Sequence, residues 1–443
     1  MKRSDKQTSK LEIRDRPISA LKPYAGNPRT HSPKQIRQIA ESLKKFGWTN
    51  PVLIDDADGI VAGHGRVAAA KLLGLKTVPT IHLGAMTEAE KRAYIIADNR
   101  LAELAGWDEQ LLAIELQFLL DVEVDFDVEL TGFETADIDR ILSGEGEPGE
   151  PERVPEPDPE APVVSRPGDL WAIGGHRIFC GDARDRTSFE RLLAGEAAQM
   201  VFTDPPYNVP IEGHVSGLGT TRHREFAMAS GEMSPAEFTS FLRSVFRNFV
   251  AFSIDGAIHF TCMDWRHMRE ILDASEGIYS ELKNLCIWAK TNAGMGSFYR
   301  SQHELVFAFK AGRGKHVNNF GLGEKGRHRS NLWTYAGANT FRHGRMDDLT
   351  AHPTIKPTAM VADAILDCSK RSGVVLDAFA GSGATLIAAE RTGRRGRAIE
   401  IDPAYVDLCV RRLEMETGAR ARLADGTEFQ EVAKVRLGIG EAV

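Results

Sequence analysis

Long apolar runs are missing from this chain. None of its 443 residues lies in an apolar stretch of about 18, the length that a membrane-spanning helix needs. The first ten residues, MKRSDKQTSK, are charged and contain no apolar core, so they do not match a secretory signal. A cytoplasmic protein without a membrane partner is therefore expected.

Cysteine is scarce, and its positions exclude two kinds of site. The cysteines form no CxxC pair, and none falls beside histidines at the spacing of a zinc site. An odd, scattered set is typical of reduced thiols in the cytosol. Neither a disulfide nor a bound metal is expected at the five cysteines, which are Cys180, Cys262, Cys286, Cys368 and Cys409.

An overall excess of positive charge is also absent. The chain has 55 Lys and Arg against 62 Asp and Glu, a net charge of −7, so it is not basic throughout. The charge is nevertheless uneven along the chain. Residues 1–100 hold 18 basic and 10 acidic residues, whereas residues 101–143 hold one basic residue and 12 acidic ones.

Composition predicts where the chain divides. Residues 144–166 are rich in Pro, Glu and Gly and poor in apolar side chains, which is typical of an extended linker. We therefore expect an N-terminal domain over 11–143, a catalytic domain over 167–415 and a C-terminal extension over 416–443. The acidic stretch 101–143 also contains leucines and other apolar residues, so it is predicted to be a helical segment that closes the first domain, with a solvated acidic face.

The N-terminal domain contains a glycine-flanked turn. A helix predicted from Ser32-Pro33 to Gly47 precedes two short strands, and Gly63-His64-Gly65-Arg66 then leads from the second strand into another helix. The free N–H groups at such a helix start, together with the donor fork of Arg66, can bind an anion or a phosphate. A plain strand-to-helix turn explains the same residues equally well.

These elements together resemble the ParB/sulfiredoxin-like domain over about residues 11–105. The resemblance lies in Asn27-Pro28-Arg29, the helix after Ser32, the run VLIDDADGIVAGHGR and Ala97-Asp98-Asn99-Arg100. It implies a small α+β domain in which the turn Gly63, His64, Gly65 and Arg66 contacts phosphates of a nucleotide or a nucleic acid. Sulfiredoxins carry a catalytic cysteine in this turn, where this chain has His64, so sulfiredoxin chemistry is excluded. His64 is then either a phosphate donor or a turn residue.

The second half contains a strand-like run that ends in functional groups. Ala198–Thr203 leads into Asp204-Pro205-Pro206-Tyr207. These residues suit chemistry on the exocyclic amine of a base, which is a weak nucleophile because its lone pair is delocalised into the ring. Asp204 can accept an amine hydrogen and stabilise positive charge on the nitrogen, and the Pro205 carbonyl can accept the second hydrogen. Pro206 helps to fix the loop, and Tyr207 offers a face for stacking. A strand-terminating turn with a packing tyrosine is the alternative.

A second run has the pattern of a Rossmann-like half. The strand Val374–Leu376 is followed by a glycine loop, Asp377-Ala378-Phe379-Ala380-Gly381-Ser382-Gly383, and by a helix over 384–391. A third strand then ends at Glu400, which comes 17 residues after Gly383. That separation is near the spacing at which an acid holds a ribose hydroxyl.

Residues 167–415 resemble the β group of exocyclic-amino DNA methyltransferases, in which the DPPY motif precedes the FxGxG motif. Trp288-Ala289-Lys290 and Ser301-Gln302-His303-Glu304 resemble later strand motifs of that family. The resemblance implies a seven-stranded, mostly parallel Rossmann-like α/β sheet with helices on both faces, and S-adenosyl-L-methionine as cofactor. It also implies a cofactor site, made of Asp182 near the adenine, Asp377, Phe379, Gly381 and Gly383 along the loop, Glu400 on the ribose, and Lys356 from the run HPTIKP. Lys356 can equally be an ordinary cation at a helix start.

Residues 210–345 are predicted to recognise the target. Between residues 290 and 345, ten basic residues accompany two acidic ones. Basic groups interleaved with aromatic side chains suit a DNA channel. The aromatic residues concerned are Phe298, Tyr299, Phe320, Trp333, Tyr335 and Phe341. The loop 211–231 directly follows the DPPY motif and is expected to cover a flipped base.

The whole sequence therefore predicts a methyltransferase that carries a methyl group from S-adenosyl-L-methionine to the exocyclic amine of adenine in double-stranded DNA. Adenine is favoured over cytosine because Asp204, rather than a serine, begins the motif. Three alternatives stay open: a cytosine-specific enzyme, an RNA methyltransferase, and a ParB-like DNA-binding regulator with an inactive methyltransferase scaffold. A nucleotide is expected at the N-terminal domain, a homodimer is left open, and the expected location is the nucleoid of a bacterium or phage.

Overall fold

The computed structural model describes most of the chain, in two compact units that span Met1–Gly144 and Glu145–Val443. The described residues are 11–84, 86–122, 126–143, 154, 157–158, 160–209, 229, 231–291, 298–321, 327–336 and 356–438. Nearly all of the expected loop 211–231, much of the predicted linker, Phe341 and residues 352–355 lie outside them. No helix in the described ranges is long and apolar enough to cross a membrane.

The first unit is built on a small mixed sheet. Its described strands and helices are β1 Ile13–Pro17, α1 Pro33–Phe46, β2 Val52–Ile54, β3 Ile60–Ala62, α2 His64–Leu72, β4 Thr77–His82, α3 Glu88–Leu104, α4 Glu109–Asp121 and α5 Thr135–Ser143. The strand order is β1-β4-β2-β3, with β2 parallel to β4 and the other two pairs antiparallel. Val52, Ile54, Ile60 and Val78 lie in its apolar core.

Helix boundaries in this unit follow the local sequence. The Ser32 side chain accepts a hydrogen bond of 3.1 Å from the N–H of Gln35, Pro33 occupies the first turn, and Gly47 ends α1 with a positive φ of 74°. These boundaries confirm the predicted helix. The acidic stretch 101–143 is helical as predicted, because the end of α3, α4 and α5 fall within it.

The second unit is an α/β domain. Its described elements are β5 Leu170–Ile173, β6 His176–Cys180, α6 Arg186–Leu193, β7 Ala198–Thr203, α7 Pro235–Ala251, β8 Ser253–Met263, α8 Met268–Ser275, β9 Glu281–Lys290, β10 His303–Lys310, β11 Leu332–Tyr335, α9 Thr358–Cys368, β12 Val374–Asp377, α10 Ala384–Arg391, β13 Arg395–Glu400, α11 Pro403–Thr417 and α12 Phe429–Leu437. Their order confirms the predicted Rossmann-like class, in which parallel strands alternate with helices.

The large sheet has the strand order β11-β9-β10-β8-β7-β12-β13-β6-β5. From β6 to β8 the strands are parallel, and β10 runs antiparallel to both β8 and β9. Seven strands were predicted, and the described part of this sheet has nine. The two additional strands lie at its edges, where β5 forms a hairpin with β6 and β11 pairs in parallel with β9.

Helices cover both faces of this sheet. On β7, Val201 packs into a cluster with side chains of α6, α7 and α8, whereas Met200 and Phe202 pack into another with side chains of α9 and α10. Successive side chains of a strand point to opposite faces, so both faces of β7 are buried. The carboxyl ends of the parallel strands consequently meet at one edge of the sheet.

The chain segments outside the predicted catalytic domain pack onto it. The backbone N–H groups of Val164 and Ser165 donate to the Asp407 carboxylate of α11 at 2.7 and 2.9 Å, although both residues fall in the predicted linker. Phe429 of α12 contacts the buried Trp171 ring at 5.1 Å between centroids. Val164 and Ser165 therefore pack on the second unit, and α12 from the predicted C-terminal extension contributes to its core.

Candidate active site

The Asp204 loop lies at the carboxyl end of β7, where several strands bring charged side chains together. The parallel strands β12 and β13 end at Asp377 and Glu400 on the same edge. Because β10 runs in the opposite direction, its beginning rather than its end reaches this edge and contributes Glu304. The end of β9 adds Lys290 beside it.

Asp204 takes part in a network of four charged groups. Its Oδ1 accepts a hydrogen bond from the Tyr207 hydroxyl at 2.7 Å, and its Oδ2 accepts one from Lys356 Nζ at 2.6 Å. Lys356 Nζ also lies 3.0 Å from Glu304 Oε2, and Lys290 Nζ donates to Glu304 Oε1. Two acids and two lysines therefore alternate, and their formal charges cancel.

Burial and pairing set the protonation of this network. Burial raises the pKa of Asp204, the Lys356 ammonium opposes that rise and the Glu304 carboxylate adds to it. Burial alone would also raise the pKa of Glu304, but Lys356 and Lys290 outweigh it and lower that pKa to about 2. Burial would lower the pKa of Lys356, yet Asp204 and Glu304 raise it above its usual value. Glu304 is therefore a permanent anion, and Lys356 a permanent cation.

The position of Lys356 differs from its predicted use. The resemblance placed it on the cofactor side, and the structure places its Nζ on Asp204 and Glu304 and over the rings of Tyr207 and Trp288, at 5.4 and 5.7 Å. Its side chain is 5% exposed. It is thus part of the Asp204 network and more than a cation at the start of α9.

Asp377 fixes the start of the glycine loop. Its Oδ1 accepts hydrogen bonds from the Thr203 hydroxyl at 2.9 Å and the Phe379 N–H at 3.0 Å, and its Oδ2 accepts one from the Thr385 hydroxyl at 2.7 Å. Burial raises its pKa to about 6 against these hydrogen bonds. Asp377 therefore links the end of β7 to the start of the glycine loop and to the helix that follows the loop.

Glu400 is held by the loop it faces. Its Oε2 accepts the N–H of Gly381 at 2.8 Å and its Oε1 accepts the N–H of Asp402 at 2.9 Å. Burial raises the pKa of Glu400 to about 7, against the effect of these two donors. A carboxylate has about four lone-pair positions, so two acceptor positions stay available to a ligand with adjacent hydroxyls.

The two predicted loop glycines have different surroundings. Gly381 has a φ of +49°, and a Cβ there would meet no atom within 4 Å, so this glycine borders open space. Gly383 has a φ of +83°, and a Cβ there would lie 2.9 Å from Cys409 Sγ of α11. The first glycine therefore keeps space beside the loop, and the second allows α11 to pack closely.

A cavity of about 680 Å³ opens beside this loop, within the size range of ligand sites. Asp182 and Phe241 are among its lining residues. The Phe241 ring contacts Phe379 of the glycine loop at 6.0 Å, and Asp182 follows the strand that pairs with Glu400. Of the residues predicted to hold the cofactor, Asp182 lines the cavity, and Phe379 contacts its wall through Phe241.

Two contributors to this site were missed from the sequence. Asn208 joins the Asp204 loop to the cavity wall, since its Oδ1 accepts the N–H groups of Gly231 and Met233 and its Nδ2 donates to the Met233 carbonyl at 2.7 Å. Helix α7 contributes Glu237, Ser240, Phe241 and Ser244 to the cavity. Their helical spacing, polar on one face of an otherwise apolar helix, was the available signal.

The described part of the predicted DNA channel is more buried than expected. Trp333 is 4% exposed and packs on Phe260, because β11 joins the sheet. Arg327 and Arg329 are paired with Asp363 and Asp367 of α9, so their charges are matched within the unit. Trp333 therefore packs in the core and does not line a channel, and these two arginines bind carboxylates of the same unit. Phe298 and Tyr299 are 88% and 81% exposed, as a channel-lining role requires.

The predicted phosphate turn begins α2 in the first unit. Gly63 has a φ of 101° and precedes the helix, and Gly65 lies so close to His31 that a Cβ would approach its ring to 3.0 Å. His64 Nε2 accepts the N–H of Tyr24 at 3.3 Å, and burial, then His31, lowers the pKa of His64. Arg66 Nη1 donates to the Pro51 carbonyl at 3.1 Å. His64 is thus neutral, with its Nδ1–H as the available donor.

Three family models match the chain. The DNA methylase model matches residues 198–411, which contain the Asp204 loop, the glycine loop and Glu400. These residues form a DNA methylase domain of the N6/N4 type. This methylase also has a ParB N-terminal domain, matched over residues 2–99, so both resemblances are confirmed. The DNA methylase match supports the predicted cofactor, S-adenosyl-L-methionine.

A ParB-methyltransferase HTH domain matches residues 110–167 of the methylase. It covers nearly all of α4, all of α5 and the predicted linker, and this domain was not predicted from the sequence. That stretch contains nine of the 12 acidic residues of 101–143, and this composition is unlike that of a DNA-binding helix pair.

Known proteins resemble separate parts of this DNA methylase. The ParB-like nuclease domain-containing protein YnaK of Escherichia coli strain K12 is 53% identical over 85 residues, which are 19% of this chain and 98% of YnaK. The type II methyltransferase M2.DpnII of Streptococcus pneumoniae is 26% identical over 248 residues, 52% of this chain and 88% of that protein. The solved structure of the cytosine-N4-specific PvuII DNA methyltransferase has a TM-score of 0.42 and 15% identity, over 63% of this chain and 96% of its own.

Proposed function

We propose that this methylase transfers a methyl group to the exocyclic amino nitrogen of adenine in double-stranded DNA, and that Asp204 contacts that nitrogen. The observation that supports this most strongly is the exposure of the network. The Asp204 side chain is 27% exposed, whereas its partners Lys356 and Glu304 are 5% and 12% exposed. Asp204 is therefore the more exposed of the two acids of this network, and the acid that an entering base can reach.

Methyl transfer needs the protein to position the amino group and to stabilise the charge that develops on it. The cofactor supplies an electrophilic methyl group on a sulfonium. When bound, it would give this methyl group to the amino nitrogen and keep the electron pair of the carbon–sulfur bond on sulfur, and the nitrogen would then have to lose a proton. Asp204 accepts a hydrogen bond from the amino group and then its proton. The negative charge of Asp204 also stabilises the positive charge that develops on the nitrogen. Tyr207 holds Asp204 Oδ1 in place and supplies a ring face for the base.

The cofactor fits the other side of the same strand edge. In our proposal Glu400 accepts the ribose hydroxyls, Asp182 lies near the adenine, and Phe379 and Gly381 border the nucleoside. Asp377 supports the loop, and Gly383 lets the loop approach α11. Adenine is preferred over cytosine as the target because an aspartate, with two acceptor oxygens, begins the motif. The complete network and cavity support an active enzyme over an inactive scaffold.

We further propose that the ParB domain binds a nucleotide or DNA phosphate at the turn Gly63, His64, Gly65 and Arg66, and that the protein works on cytoplasmic DNA in a bacterium or phage. The turn offers the start of α2, the Arg66 guanidinium and the Nδ1–H of His64. This domain would modulate DNA engagement and take no part in methyl transfer.

The test is a single-turnover measurement with the full chain, labelled S-adenosyl-L-methionine and plasmid DNA. Asp204→Asn should lower the rate at least ~100-fold, the cost of removing one group that stabilises transition-state charge. Its affinity for S-adenosylhomocysteine should stay within about twofold of wild type, because Asp204 is not on the cofactor side. Asp255→Asn is the matched control, since that carboxylate lies at the opposite end of β8 and binds the N–H groups of Arg313 and Gly314. Methylation by Asp204→Asn at the wild-type rate would remove the proposal.

A further inference from the structure

Glu304 is the acid of the Asp204 network for which the proposed chemistry has no use. Its side chain is 12% exposed, and it lies at the beginning of β10. Its two oxygens are divided between the lysines, since Oε1 accepts from Lys290 and Oε2 lies 3.0 Å from Lys356 Nζ. The Tyr207 hydroxyl is also 3.1 Å from Glu304 Oε2. These three partners fix the position of the Glu304 carboxylate beside Asp204.

The lysine between the two acids presents a difficulty for catalysis. Lys356 Nζ is 2.6 Å from Asp204 Oδ2, and a cation at that distance opposes what Asp204 must do. It weakens the carboxylate as a proton acceptor, and it repels the positive charge that develops on the amino nitrogen. A lone Asp204–Lys356 pair would therefore be a poor catalytic unit.

Glu304 offsets the effect of the Lys356 charge on Asp204. It binds Lys356 from the other side, so the ammonium is shared between two carboxylates, and Lys290 balances the second of these. Within this group of four, Asp204 contacts one lysine and Glu304 contacts both. The geometry thus divides the two acids into an exposed one with one cation and a buried one with two.

We propose that Glu304 is a positioning residue that draws the Lys356 charge away from Asp204, so that Asp204 can accept the amino hydrogen and proton during methyl transfer. The inference rests on the proposed role of Asp204. In the step itself the nitrogen–hydrogen bond breaks, its electron pair stays on nitrogen, and the proton moves to an Asp204 oxygen. Lys356 keeps its proton throughout, and Glu304 keeps its charge.

The directions of the pKa shifts agree with this division, because Glu304 contributes to the raised pKa of Asp204 while its own pKa is lowered. Other groups that face Asp204 must stay constant in any test. The titratable groups around it come from its own loop, β8, β9, β10, β12 and the segment before α9, and they are Tyr207, Cys262, Lys290, Glu304, Asp377 and Lys356.

The sign of the effect gives a sharp test. Glu304→Gln leaves one acid with two lysines, a formal charge of +1, and should lower the pKa of Asp204. Lys356→Gln leaves two acids with one lysine, a formal charge of −1, and should raise it. The double variant restores a charge of zero. A charge within a few ångströms moves a pKa by about 1–3 units, so the acid limb of the single-turnover pH profile should shift by about 1 unit or more, in opposite directions in the two single variants.

The experiment uses the full chain with saturating DNA and labelled S-adenosyl-L-methionine between pH 5 and 9. We expect Glu304→Gln to move the acid limb to lower pH and to reduce the plateau rate ~10-fold, because a weaker base accepts the proton. Lys356→Gln should move the limb to higher pH, and the double variant should fall between the two. Affinity for S-adenosylhomocysteine, measured by calorimetry, should stay within about twofold in all three, because the network is not on the cofactor side.

Two controls separate this role from a structural one. Glu196→Gln also removes a carboxylate bound by two basic groups, Arg395 and Arg397, and should leave the acid limb in place. Glu304→Asp keeps the charge and should keep the wild-type limb even where the rate falls. If Glu304→Gln does not fold, the comparison of Lys356→Gln with the double variant still decides, because only the loss of Glu304 separates them and it should move the acid limb to lower pH.

The inference is overturned if neither limb moves, if both move in the same direction, or if Glu304→Gln moves the limb to higher pH. These results would leave the proposed role of Asp204 intact as long as Asp204→Asn is inactive. An active Asp204→Asn variant would instead remove the proposed function, and the inference with it.

Discussion

We expect Glu400 to make cofactor binding depend on pH near neutrality. Its pKa is raised to about 7 by burial, and its two oxygens accept N–H groups from Gly381 and Asp402. The ionised form can accept two further hydrogen bonds from ribose hydroxyls, whereas the protonated form has lost acceptor positions to its own O–H. Binding should therefore favour the ionised form, and affinity should rise as the pH rises through the pKa.

The magnitude follows from the fraction of Glu400 that is ionised. With a pKa of about 7, this fraction rises from about one tenth at pH 6 to about nine tenths at pH 8. The dissociation constant of S-adenosylhomocysteine should then fall about tenfold over this range, which equals about 1.4 kcal/mol. Glu400→Gln should weaken binding by ~10–100-fold at pH 8, the value of a hydrogen bond to a charged group, and should remove the dependence above pH 7.

Calorimetric titration of the full chain at half-unit steps measures both quantities. Asp377, with a pKa of about 6, titrates nearby, so a slope that survives in Glu400→Gln below pH 7 belongs to Asp377. Glu416→Gln on α11 is the control, because that carboxylate pairs with Arg391 away from the loop. A wild-type dissociation constant that is flat between pH 6 and 8, or a Glu400→Gln variant with the wild-type slope, would refute the reasoning.

Three further predictions concern the cavity, the core and the first unit. Phe241→Ala should weaken S-adenosylhomocysteine binding about fivefold or more, since a lost aromatic contact costs ~1 kcal/mol. The control is Phe238→Ala, which removes a fully buried ring behind Phe241 and should instead lower the melting temperature. Trp171→Ala should destabilise the second unit by about 3–5 kcal/mol in urea titrations, because its buried ring packs on Phe429; an unchanged midpoint would contradict this packing. Arg66→Ala should weaken binding of a nucleoside triphosphate, followed by fluorescence, and reduce the salt dependence of DNA binding, while leaving the single-turnover rate unchanged. If the variant binds both ligands with wild-type affinity, the turn has only a structural role.

Local sequence was sufficient for the two loops that carry the site. The Asp204 loop and the glycine loop are contiguous, each follows an apolar strand, and parallel strands place their ends on one edge. The helix from Pro33 to Phe46 could be bounded for the same reason, since Ser32 and Gly47 act on neighbouring backbone groups. The strands β7, β12 and β13 were likewise predicted, because buried strands are short apolar runs.

Long-range pairing could not be predicted. Lys356 is 152 residues from Asp204 in the chain, and nothing local shows that its ammonium reaches that carboxylate. Glu304 was noted only as part of a strand motif, because its role depends on the reversed direction of β10. The same limit explains Arg327 and Trp333, whose basic and aromatic character suits DNA, and which the fold uses for an ion pair and for core packing. For each of these residues, the role depends on the side chains that the fold places beside it, and the local sequence does not contain that information.

The chemical identity of the product tests the central claim most directly. DNA incubated with the full chain and labelled S-adenosyl-L-methionine is digested to nucleosides and separated by chromatography with mass detection, beside a sample treated with Asp204→Asn. We predict labelled N6-methyladenine from the wild-type protein and none from the variant. Labelled N4-methylcytosine would contradict the adenine assignment, and unlabelled DNA from an active, cofactor-binding preparation would contradict methylation of DNA altogether.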